Sequence, residues 1–256
     1  MPFIELESVD STNNYARQQI NAALALHGMA FFAHEQVAGK GQRGKTWKSA
    51  RDMNIALSVL VQPVKLSLQL AEQFQLSACV AVAVHDFFKK YGGDNAKIKW
   101  PNDLYWQDRK AGGILIESVV RSRLSTDDGQ RTESASWDWA IIGIGININQ
   151  TIFSDELLNP VSLKQITGKN FEPVVLAKEL HAVLMEKIAE TAANGFENIY
   201  STYLQHLYKR NETVKLKKDN RVFEARIKTI TSSGRLVVEH AIEEEFGFGE
   251  VEWIIK

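Results

Sequence analysis

Positions 39–47 read Gly39-Lys40-Gly41-Gln42-Arg43-Gly44-Lys45-Thr46-Trp47, with three glycines and three cations inside seven residues. Glycine allows positive φ and lets a ligand approach the backbone closely. Successive bare N–H groups then form an anion nest. Lys40, Arg43 and Lys45 add positive charge to the same loop, so its chemistry is the holding of a phosphate or carboxylate. A second group follows at Lys97-Ile98-Lys99-Trp100-Pro101-Asn102-Asp103, with Lys110-Ala111-Gly112-Gly113 beyond it. Paired lysines near an aspartate at strand ends suit a polyphosphate and its magnesium ion. The same residues also fit a surface hairpin with solvated lysines. Ser11-Thr12-Asn13 reads, on residue type alone, as helix-capping sequence.

The glycine loop satisfies G-x-x-x-x-G-K-[ST] from Gly39 to Thr46, the spelling of a P-loop. A P-loop needs a helix that starts at its lysine and turns its N-terminus to the phosphates. Here Trp47-Lys48-Ser49-Ala50-Arg51-Asp52-Met53-Asn54 is irregular and leads into a strand-like run, so a P-loop is disfavoured. Gly143 and Gly145 begin a dinucleotide fingerprint, but Ile148 stands where its third glycine belongs. Glycines inside a strand point instead to close approach by a ligand or a neighbouring backbone.

The elements that must carry these groups are legible in outline. Strands are expected at 3–9, 30–37, 55–62, 97–100, from 114 onward and at 139–149. Helices are expected from the cap at 10–14 to about 26, at 68–90 capped by Ser67, at 173–193 with Pro173 in its first turn, and at 196–207. The polar stretch 121–136 predicts an exposed hairpin or long loop. After about residue 209 the chain changes to four short strand-like runs, at 213–216, 222–229, 235–239 and 251–255. The expectation is an α+β fold, a mixed sheet flanked by helices over 1–208, followed by a small β-barrel over 209–256.

The 256 residues are 45% hydrophobic, enough for a real core. Thirty Lys and Arg against 31 Asp and Glu leave a net charge of −1, so no charged face suggests nucleic-acid binding. Cys79 is the one cysteine, which excludes an intrachain disulfide and a cysteine metal site. No basic-then-apolar leader is visible, and apolar runs fall short of the ~20 residues of a membrane helix. These features predict a cytoplasmic protein with no membrane partner.

Taken together and in order, Ser11-Thr12-Asn13, the loop 39–47, Lys99-Trp100-Pro101-Asn102-Asp103, Lys110 with its glycine pair before Ile114-Leu115-Ile116-Glu117, and Gly143-Ile144-Gly145-Ile146-Asn147 resemble the biotin protein ligase family. The closing β unit resembles that family's SH3-like domain. The resemblance implies ATP and biotin as substrates, Mg²⁺ as cofactor, and a biotin carboxyl carrier protein of acetyl-CoA carboxylase as partner. It also implies two steps, formation of biotinyl-5′-AMP with release of pyrophosphate, then transfer of biotin to a carrier lysine. Family members occur as homodimers and as monomers. Some carry an N-terminal DNA-binding repressor domain. The early position of Ser11 predicts none here. A lipoate or octanoate ligase or transferase, built on the same catalytic fold, is the alternative.

Carried over by position, the resemblance puts Ser11, Thr12, Asn13, Gln36, Lys40, Gly41, Gln42, Lys110, Gly112 and Gly113 on biotin. It puts Gly39, Lys40, Gly41, Gln42, Arg43, Trp47, Asn102, Lys110 and Asn147 on ATP or the adenylate. Lys110, Arg43 and Lys99 would be catalytic, and Asp103 would help hold the metal. Gln42 stands where many members have arginine, which predicts a looser hold on the adenylate.

Overall fold

A computed structural model describes residues 1–127, 130–155 and 157–254, without side chains at 122–134. The chain runs β1 (Phe3–Leu6), α1 (Thr12–Asn21), β2 (Ala30–Ala33), β3 (Asn54–Val61), α2 (Gln73–Gly92), β4 (Ala96–Lys99), β5 (Asp103–Trp106), β6 (Arg109–Asp127), β7 (Gln130–Asn147), α3 (Leu163–Thr167), α4 (Pro173–Asn194) and α5 (Glu197–Gln205). Five strands follow: β8 (Thr213–Lys218), β9 (Arg221–Ile230), β10 (Leu236–Glu239), β11 (Glu243–Phe246) and β12 (Glu252–Ile254). The fold is mixed α+β. A seven-stranded sheet has the order β1-β2-β3-β7-β6-β5-β4, parallel only between β1 and β2. The second sheet is antiparallel, in the order β11-β10-β9-β8-β12. Among the described residues no pairing of β11 with β12 closes it, so the expected barrel is a five-stranded SH3-like sheet.

Alternation along β3 and β7 divides the core. Ile55, Leu57, Val59 and Val61 of β3 and Ile142, Ile144 and Ile146 of β7 join one buried cluster with α2 and α4. Leu60 and Ile141 point the other way and pack with Ala16 of α1 and Phe31 of β2. On that second face the register sets Ser58 opposite Gly143 and Ala56 opposite Gly145. The large side chains thus give way to small ones beyond the end of α1, and a depression opens there.

Several boundaries differ from expectation for physical reasons. The first helix stops at Asn21 because Ala23 turns left-handed (φ 57°), and Leu24 and Leu26 have no apolar face to cover and stay exposed. Gly28 (φ 80°) starts the return into β2 rather than ending the helix. Ser67 is also left-handed (φ 56°) and is the C-cap of a 3-10 turn at Pro63–Leu66 rather than the N-cap of α2; a Gln69–Glu72 capping box introduces a second short 3-10 turn ahead of α2. Stretch 121–136 belongs to the β6–β7 hairpin, paired out to Asp127 and Gln130, while positions 128 and 129 lie outside the described residues. Glu243–Phe246 and Leu163–Thr167 are regular elements that patterning does not reveal.

Candidate active site

The depression is a cavity of about 780 Å³ between the large sheet, the glycine loop and the edge of the second sheet. One end is a buried polar network. Thr12 donates its backbone N–H (2.8 Å) and hydroxyl (3.1 Å) to Gln36 Oε1. The hydroxyl of Ser58, fully buried on β3, lies 2.7 Å from Thr12 Oγ1 and 2.6 Å from Asn13 Oδ1. Asn13 Nδ2 donates to Glu117 Oε2 (2.8 Å), and Glu117 also pairs with Arg17 at 3.5 Å. Ser11 occupies the N-cap position of α1 but makes no side-chain cap bond, so its hydroxyl is not used as a cap. Gly143 makes this packing possible: a Cβ there would sit 2.5 Å from Asn13 Oδ1.

Two hydroxyl hydrogens, from Thr12 and Ser58, serve three oxygen–oxygen contacts in this network. Only two of the three contacts can carry a hydrogen at once, so the network can reorganise its hydroxyls.

The cationic end lies at β4–β6. Asp103 accepts from Lys110 Nζ at 2.6 Å, and Gly113 underlies the pair. A bulge directs Lys110 there. Leu104 pairs with Gly112 but Tyr105 pairs with Lys110, so Ala111 is an extra residue. Without it, Lys110 would alternate onto the opposite face of the sheet. The backbone of Lys110 is clamped by Lys110 N–H to Asn159 O (2.8 Å) and Val161 N–H to Lys110 O (2.9 Å). Asn147 Nδ2 reinforces that clamp by donating to Val161 O at 3.1 Å. Lys99 is half-buried in the wall, and desolvation together with Lys110 and Lys45 pulls its pKa down to about 8 against the opposing pull of Asp103.

The glycine loop is a miniature hairpin over the cavity. Lys40 bridges Thr46, Gly41 N–H donates to Lys45 O (2.6 Å), and Trp47 N–H donates to Gly39 O (2.9 Å). Arg43 (φ 54°) and Gly44 (φ 75°) make the left-handed tip. No helix starts at Lys45, which disposes of the P-loop spelling. Gln42 Nε2 donates to Ile114 O (3.3 Å), tying the loop to β6 at the position where charge was lost. Asn102 Nδ2 donates to the same carbonyl. The Arg43 guanidinium lies against Gly249 in the turn before β12. Gly145 gives room to the Trp47 ring, since a Cβ there would be 2.5 Å from it.

The cavity wall includes Ser11, Thr12, Asn13, Gln36, Lys40, Gly41, Gln42, Arg43, Trp47, Lys99, Asn102, Asp103, Lys110, Gly113 and Asn147. Gly39 and Gly112 do not line it. Gly39 is needed for loop closure, because a Cβ would meet Trp47 O at 2.4 Å. Gly112 is sheet packing, with Gly145 O 2.7 Å from its Cβ position. Gly112→Ala is therefore expected to lower stability by about 1–3 kcal/mol, read from urea unfolding, because the nearest atom is a backbone carbonyl of β7 that cannot move aside. Ser58 and Trp253 are site residues that sequence reasoning did not single out, and Glu117 was quoted there only as the end of a motif and given no role. Ser58 had a signal, as the lone polar residue in the apolar run 55–61.

Residues 5–126 match the model of the biotin/lipoate A/B protein ligase family. Over those residues the chain resembles that family. It is 29% identical to a biotin–[acetyl-CoA-carboxylase] ligase of Paracoccus denitrificans, with 82% of each protein covered. It is 32% identical to the bifunctional ligase/repressor BirA of Escherichia coli over 70% of this chain, and spans about half (52%) of that protein. In fold it matches the biotin protein ligase of Aquifex aeolicus solved in complex with biotin and ATP, at a TM-score of 0.79 and 22% identity, over 100% of this chain and 99% of that one. Among the described residues no helix is long and apolar enough to cross a membrane.

Proposed function

We propose that this protein is a biotin protein ligase, with a catalytic unit over 1–208 and a β unit over 209–256. The observation that carries this reading is one cavity with a buried hydrogen-bonding network at one end and Lys99, Asp103 and Lys110 at the other. A urea-like ring supplies the donors and acceptor that such a network can use. A dithiolane or alkyl end does not, and a site built to hydrogen-bond its substrate rejects analogues that cannot.

In the first step a carboxylate oxygen of biotin attacks the α-phosphorus of ATP. The new C–O–P anhydride forms as the bond to pyrophosphate breaks. Lys110 stands at the carboxylate and α-phosphate, where a fixed cation offsets the charge gathering on phosphoryl oxygens. Lys99 meets the leaving phosphates. The 39–47 loop covers the mixed anhydride and keeps water away. In the second step a carrier lysine amine attacks the carbonyl, forms the amide, expels AMP and loses a proton. The carrier is the biotin carboxyl carrier protein of acetyl-CoA carboxylase.

Magnesium fits the donor set. Among the described residues no cluster of three ligating side chains exists, and Asp103 offers a single carboxylate. One carboxylate plus substrate phosphates and water is the ordinary arrangement for this ion. When bound there it would neutralise phosphate charge.

The reading is tested by acid-dependent exchange of labelled pyrophosphate into ATP, with biotin, lipoate and octanoate side by side. Exchange with biotin alone is expected. Exchange supported by octanoate or lipoate and not by biotin would overturn it.

A further inference from the structure

Lys99 is held between two sheets. Its Nζ lies 5.1 Å from the centre of the Tyr105 ring on β5 and 5.3 Å from the Trp253 indole on β12. Tyr208 joins the two walls, its ring 5.0 Å from Tyr105 and 5.8 Å from Trp253. Asp108 fixes Tyr208 in turn, accepting its hydroxyl at 2.7 Å. The Trp253 indole N–H is buried with no acceptor among the described residues, so ring faces rather than a hydrogen bond seat it.

We propose that Trp253 is a positioning residue for Lys99, closing an aromatic clamp that aims the ammonium into the cavity only while the C-terminal sheet is seated. Ring faces attract a cation without neutralising it. They guide a charge that a carboxylate partner would cancel. The charged groups facing Lys99 are Asp103 across the β4–β5 pair, Lys110 on β6 and Lys45 on the glycine loop; Tyr105 and Tyr208 add phenols, and Glu252 lines the same cavity. Burial is the main cause of the lowered pKa of Lys99. The link from Lys99 to ATP rests on the ligase reading, whereas the clamp does not.

The test is trace labelling of lysines with an amine-reactive reagent at one fixed pH, read by mass spectrometry with exposed Lys169 as internal reference, alongside exchange kinetics. In Trp253→Leu the labelling of Lys99 relative to Lys169 is expected to rise about fivefold or more, because the ring that covers the ammonium is gone. The KM for ATP is expected to rise about tenfold while kcat changes less. Trp253→Phe retains a ring and is expected to recover both, which keeps the test decisive if the leucine variant loses its C-terminal sheet. An unmoved Lys99 labelling ratio in Trp253→Leu, or a phenylalanine variant no better than the leucine one, overturns the clamp. A ratio that moves with no change in KM upholds the clamp and overturns the phosphate role of Lys99.

Discussion

Lys110→Ala is expected to lower biotin-dependent pyrophosphate exchange by roughly 10²–10³-fold, the range typical of removing one fixed group that stabilises developing charge. Two effects act together. The alanine removes the cation beside the reacting phosphate, and it leaves Asp103, its partner at 2.6 Å, as a bare carboxylate facing an anionic nucleotide. Stability should barely change. Both side chains remain partly exposed, at 35% and 20%, and a pair of this kind is worth about 0–1 kcal/mol. A thermal melt beside the exchange assay separates the two. Exchange within tenfold of wild type would remove Lys110 from its role.

Thr12→Val should shift acid selectivity. Valine keeps the shape of threonine but removes the hydroxyl shared between Gln36 and Ser58. The KM for biotin is expected to rise about 10–100-fold, corresponding to one or two buried hydrogen bonds at about 1–1.5 kcal/mol each. Any residual activity with octanoate should not fall with it. The ratio of the two kcat/KM values is the informative quantity, since a general loss of folding would depress both. An unchanged ratio would mean that the network is structural and does not read the acid.

The residues that touch the cavity were largely legible because the chemistry of each is local. Glycines beside cations announce an anion site wherever they fold, and Lys110 or Asp103 can be nominated one at a time. The sequence conceals what depends on pairing. The bulge at Ala111 has no residue signature, yet it turns Lys110 to the correct face. Gly143 and Gly145 were read as leaving room for a ligand or a backbone, and they leave room for Asn13 and Trp47. Trp253 meets Lys99 only because a second sheet docks there. The overextended first helix has a similar origin, since Leu24 and Leu26 supply helical periodicity without anything to bury against.

The register of the large sheet places Ala56, Gly145, Gly113, Asp103 and Lys99 directly opposite one another across β3, β7, β6, β5 and β4. The working groups thus form a line perpendicular to the strands, ruled at about 4.8 Å by the interstrand hydrogen bonds. Their order along it, 56-145-113-103-99, runs backwards through the chain from Gly145 to Lys99, with Ala56 set beyond Gly145. A one-residue slip in any hairpin would turn that strand's contribution to the opposite face. A misregistered chain would then lack part of the site altogether instead of holding a weakened version. Activity in this protein should report correct strand pairing as an all-or-none property, and partly misfolded molecules should be silent.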